Sequence, residues 1–161
     1  MMMSRHETGS IVETEDLSGV DQELLPRFDS PFVDALGIER VTCSTGQCEV
    51  VLPLKQGHLN MWAIAHGGIS MTLCDVALAL AARSGVDSGT GVLTIELKVS
   101  FLQPGRELLY ARGRLLHRST KMAYCEGEIV DGEGRLVAKA LGTFKYVKKR
   151  QAEELPVPEA N

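Results

Sequence analysis

Residues 66–83 read HGGISMTLCDVALALAAR, and this stretch decides the fold. Ile69, Met71, Leu73, Val76 and the run Ala77-Leu78-Ala79-Leu80-Ala81-Ala82 leave almost no polar face. Asp75 is the only charge between His66 and Arg83. The pattern predicts one long helix from about Gly67 to Arg83. A helix that is apolar all round is expected to be buried all round.

Both flanks read as sheet. Upstream, Ser30-Pro31 opens a short helix through PFVDAL that Gly37 stops. IERVTC and QCEVVLPL follow as strands joined by a hairpin at STGQ, and the loop KQGHLNMWAIA leads into the long helix. Downstream, VLTIELKVSFL alternates: Leu93, Ile95, Leu97, Val99 and Phe101 fall on one face, and Thr94, Glu96, Lys98 and Ser100 on the other. After the Gln103-Pro104-Gly105 turn come ELLYARGRLLHRS, KMAYCEGEIV, a DGEG hairpin and RLVAKALGTFKYV. Tight turns favour an antiparallel sheet, so the class is α+β. With one long apolar helix and this much strand, the sheet is expected to wrap around the helix.

The chain has 161 residues, 44% hydrophobic and 24% charged, which suits one globular domain. We place that domain at 26–148, between an N-terminal arm over 1–25 and a loose tail over 149–161. The net charge of −4 argues against a nucleic-acid binder, which needs clustered cations. No apolar run reaches the roughly 18 residues of a membrane span, and MMMSRHETGS lacks the apolar core of a secretory signal. Cys43, Cys48, Cys74 and Cys125 form no CxxC pair and are expected as reduced thiols of a cytoplasmic protein, although Cys43 and Cys48 flank a turn where they could meet. No metal site is expected, because His58 and His66 do not have a structural zinc spacing.

Asp75 is the anomaly in the helix. A carboxylate there carries a desolvation cost of several kcal/mol unless paired or used, and it lies too far inside to be an N-cap. Arg83, about 12 Å further along the axis, is out of its reach. At the helix start, His66-Gly67-Gly68 presents backbone N–H groups at a positive dipole end, which suits an oxyanion. Gly67 and Asp75 are themselves about 12 Å apart along one helix, so one carbonyl meets both only if two chains supply them across a two-fold axis.

His58, Asn60, His66, Gly67 and Gly68, followed by Asp75 nine residues after His66, resemble the HxNxxGxxHGG-carboxylate signature of the phenylacetic-acid-degradation type of hotdog thioesterase. LKVSFLQPG and GRLVAKALGTFKYV are similar to two of that family's strands, and the likeness spans roughly residues 30–147. The resemblance implies a hotdog fold, acyl-coenzyme A thioester hydrolysis, and a homodimer or homotetramer with sites shared between subunits. It implies Asp75 as nucleophile or general base and the Gly67 N–H as carbonyl-polarising donor. Asn60 would contact substrate or water, and His66 would brace the loop and contact the thioester region, both as members of the catalytic set. Two departures stand out: Ala63 replaces the motif's middle glycine, and Ala79, one turn after Asp75, lacks the hydroxyl that some relatives use to position water.

No cofactor is expected beyond the coenzyme A of the substrate. His58, Gly68 and Trp62 are candidates for substrate contact, and Met61 and Trp62 fit either an acyl pocket or the core. Arg118, Ser119, Thr120 and Lys121 are candidates for the coenzyme A phosphates. Two other functions remain open on this sequence: a hydratase pairing His66 with Asp75 from two subunits, and a non-catalytic acyl-CoA sensor.

Overall fold

The computed structural model describes residues 30–148, the side chains of Arg40 and Val41 excepted. The arm expected over 1–25 and the tail expected over 149–161 lie outside the described residues. Helix α1 (Pro31–Leu36) is followed by β1 (Glu39–Ser44) and β2 (Gln47–Pro53), and then by the long helix α2 (Gly67–Arg83). Strands β3 (Thr90–Phe101), β4 (Leu108–Arg118), β5 (Met122–Asp131) and β6 (Leu136–Lys148) complete the chain. They form one antiparallel sheet in the order β1-β2-β4-β5-β6-β3. The sheet curls around α2, which lies against all six strands. This is the hotdog arrangement, with its helix within one residue of the expected bounds.

Glycine lets the helix sit that close. Gly113 of β4 and Gly127 of β5 are paired neighbours, and a Cβ on either would overlap Ala77 or Leu78 of α2. Leu73, Cys74, Ala77, Leu78, Ala81 and Ala82 are buried against the sheet.

The described residues leave the opposite face of α2 uncovered, in contrast to the all-round burial expected. Met71 is 44% exposed, and Thr72, Asp75, Val76, Ala79 and Leu80 are half-buried. One sheet can cover only one side of a helix, and this chain has no second layer among its described residues.

The alternation expected in β3 also fails, at one point. A bulge between Thr94 and Glu96 inserts an extra residue into the β3–β6 ladder. Ahead of it Val92 packs on the core, while behind it Leu97 and Val99 do. Leu93 and Ile95 are therefore exposed, and Thr94 turns toward α2.

The cysteines need correction too. Cys43 and Cys48 face each other across the two-residue Thr45-Gly46 turn, Cα atoms 4.2 Å apart, and are joined in a disulfide. Register makes the bridge, since the two-residue turn sets these positions opposite. Cys74 and Cys125 are free and buried.

Candidate active site

The site begins in the loop that leads into α2. Its ends are tied together by His66 N–H to His58 O at 2.8 Å, and it is pinned to the β3–β4 turn by Ala65 N–H to Gly105 O at 2.9 Å. Asn60 organises the interior: its Oδ1 accepts from Trp62 N–H at 2.9 Å and from Ile64 N–H at 3.4 Å. Ala63, where the motif has glycine, adopts a left-handed φ of 54°. That backbone costs a residue with a Cβ roughly 1 kcal/mol, which accounts for glycine in the pattern.

His66 caps α2, its Nδ1 accepting the Gly68 N–H at 3.0 Å. That bond occupies the Gly68 N–H. The Gly67 N–H has no acceptor among the described residues, so the helix start offers one open donor at its positive end.

His58 is corrected as well. It is buried, and its Nδ1 accepts from Lys55 N–H at 3.1 Å, so it props the loop from beneath. Trp62 and Met61 are both exposed on the loop, which excludes the core as their place in this chain.

Asp75 stands two turns along α2, on the uncovered face. Thr94 Oγ1 donates to its Oδ1 at 2.8 Å. Simple alternation had set Thr94 outward; the bulge was the missing signal, and a single strand read alone cannot display it. Beside the pair runs a groove of about 350 Å³ between α1, α2 and β3. Cys74, next in sequence, is no rival nucleophile: burial pushes its thiol up to about 12, and the Asp75 charge adds to the effect.

Arg118 does not fit the phosphate role expected of it. Its guanidinium donates to Ser84 O at 2.8 Å and to Tyr146 Oη at 3.0 Å, clamping the C-terminal end of α2. A cation at that dipole end is electrostatically favoured. Ser119 Oγ is likewise occupied, accepting from Met122 N–H at 3.0 Å within its own turn. Thr120 and Lys121 are exposed. These four lie at the opposite end of α2 from Gly67. No helix among the described residues is long and apolar enough to cross a membrane.

Comparison with known proteins bears on this arrangement. A family model described as the thioesterase superfamily matches residues 63–138, which include the helix start, Asp75 and Thr94. A Pseudomonas aeruginosa protein carrying a provisional esterase name is 31% identical over 134 residues, covering 80% of this chain and 98% of its own. A Saccharolobus solfataricus protein named in the same way is 28% identical over 137 residues, covering 84% and 96%. The structure of the Escherichia coli PaaI protein, from the phenylacetic acid degradation operon, superposes with a TM-score of 0.69 at 26% identity, covering 74% of this chain and 86% of its own.

Proposed function

The chain belongs to the thioesterase superfamily, and on that premise we propose that it hydrolyses an aryl- or short- to medium-chain acyl-CoA to the free acid and coenzyme A. The observation that carries this reading is Asp75, hydrogen-bonded by Thr94 on the one face of α2 that the described residues leave uncovered. A structural carboxylate would be expected to meet a cation, and no ion pair holds Asp75 among the described residues.

In this mechanism the thioester oxygen accepts the Gly67 N–H, which strengthens as negative charge develops; one such donor is worth roughly 3 kcal/mol of barrier. Thr94 fixes one carboxylate oxygen of Asp75, leaving the other to take a proton from water or to attack directly. In the water route the oxygen adds to the carbonyl as its proton passes to Asp75, and collapse of the tetrahedral oxyanion breaks the C–S bond while that proton passes to the departing thiolate. In the direct route Asp75 displaces the thiolate to form a mixed anhydride, and water then cleaves it, giving the free acid, restoring the carboxylate and supplying the thiol's proton. Because Gly67 and Asp75 stand about 12 Å apart on one helix, each site takes Gly67 from one subunit and Asp75 from the other. Antiparallel α2 helices in a homodimer, or in a dimer of dimers, meet that demand.

The test is a panel of acyl-CoA thioesters assayed by release of free thiol, with and without EDTA. Metal-independent turnover is expected. Absence of turnover on every thioester, or its loss to EDTA and return with zinc, overturns the reading.

A further inference from the structure

Resting on the hydrolytic reading, we propose that the groove between α1 and α2 receives the acyl group, and that Phe32 at its rim selects an uncharged apolar chain or ring. Five apolar side chains line the groove: Phe32 and Val33 from α1, Met71 and Val76 from α2, and Leu97 from β3. Ser30 and Thr72 add hydroxyls, and Asp75 is the only charged residue in the lining among the described residues. The reacting carboxylate therefore gives directly onto an open groove with five apolar side chains among its lining residues.

The α1 wall is fixed in place. Val33 is only 7% exposed and packs in the core, and Gly37, with a left-handed φ of 73°, closes the helix. Its neighbour Phe32 is left 62% exposed beside the groove. An apolar acyl chain lying there removes its own surface and that of Phe32 from water together. Charge sets the opposite limit. Among the described residues, no lysine, arginine or histidine lines the groove. A second carboxylate on the acyl group would meet Asp75 without a counter-charge, so monothioesters of dicarboxylic acids are disfavoured.

Binding separates this proposal from the chemistry. The probes are non-hydrolysable S-alkyl-CoA thioethers from ethyl to octyl, and one ω-carboxyalkyl thioether, titrated calorimetrically into the full-length protein. The octyl compound is expected to bind at least tenfold more tightly than the ethyl, and the carboxyalkyl compound no better than the ethyl. In Phe32→Ala, an exposed position that leaves the core intact, the octyl-to-ethyl ratio should fall at least threefold. Met71→Arg should raise relative affinity for the carboxyalkyl probe about tenfold. A flat chain-length series in the wild type, as when a second chain fills the groove, overturns the proposal; so does a series that neither variant alters. Chain-length-dependent binding without hydrolysis of the matching thioesters sustains the groove and defeats the thioesterase reading. Hydrolysis with a flat series does the reverse.

Discussion

Thr94 Oγ1 donates a 2.8 Å hydrogen bond to Asp75 Oδ1, joining the edge strand β3 to the middle of α2 across 19 residues of sequence. The bond orients a carboxylate that has no counter-cation among the described residues, and it exists because the bulge at Ile95 reverses the face that Thr94 presents. Asp75 is the reacting group of the proposed mechanism, and Thr94 is a positioning residue acting through it.

Asp75→Asn should leave the melting temperature nearly unchanged while turnover falls at least about a hundredfold. Thr94→Val should lower kcat about tenfold with little change in KM, and Thr94→Ser should restore it, because only the hydroxyl is required. Equal activity in Thr94→Val and wild type would show that Asp75 needs no partner on β3.

Gly67→Pro tests the oxyanion donor directly. Proline removes the N–H yet suits the first position of a helix, and His66 before it already has the extended backbone that proline demands, with φ −61° and ψ 140°. The variant should fold and lose on the order of a hundredfold in kcat. Mixed with Asp75→Asn subunits under proven exchange, it should regain roughly a quarter of wild-type activity: random pairing makes half the dimers mixed, each with one intact site. A mixture that stays inactive would place both groups of a site on one chain.

Arg118→Met should reduce stability by about 2 kcal/mol, because the carbonyls at the end of α2 lose a charged donor. KM for acyl-CoA should not move. Lys121→Ala, by contrast, should raise KM without altering the melt if this exposed turn holds a phosphate. A raised KM with an unchanged melt in Arg118→Met would return that residue to the substrate.

Acid should unfold the β5–β6 hairpin through Asp131. Burial works to raise this carboxyl, but hydrogen bonds from the Arg135 side chain and from the Arg135 and Glu133 backbone prevail and hold it below the ordinary carboxylate range. A depressed folded-state pKa contributes stability above the unfolded value of about 3.9 and loses it as pH falls through the folded value. Asp131→Asn, which keeps an oxygen acceptor for the turn but loses the charge, should be less stable than wild type by about 1 kcal/mol at pH 7. The gap should close in denaturant titrations below about pH 3.9; a constant gap would mean that ionisation of Asp131 is not the cause.

Much of this architecture was legible because its causes are local. The apolar run that ends at Arg83, the glycines at the start of α2 and the turn residues of the hairpins act over a few neighbours, so one sequence displays them. The lone Asp75 in an apolar helix and the two-turn gap to Gly67 were legible for the same reason: helical rise is the same wherever a helix sits. Asn60 and His66 were found through the motif, and the structure assigns them the work of shaping and capping the loop.

What the sequence by itself determined, then, was the set of elements, their order, and the positions along α2 of an open donor and a carboxylate. Tertiary structure alone decided which side chains meet. Thr94 reaches Asp75 because β6 imposes a bulge on β3, and Cys43 bridges Cys48 because a two-residue turn sets them opposite. Arg118 caps α2 because β4 ends beside the last turn of that helix, which withdraws the residue from the phosphate role its turn had suggested. The Thr94 and Arg118 contacts depend on register between segments far apart in the chain, and the Cys43–Cys48 bridge on the register of a single hairpin. A shift of one residue reverses the face a strand side chain occupies, so no periodicity within one strand can reveal it.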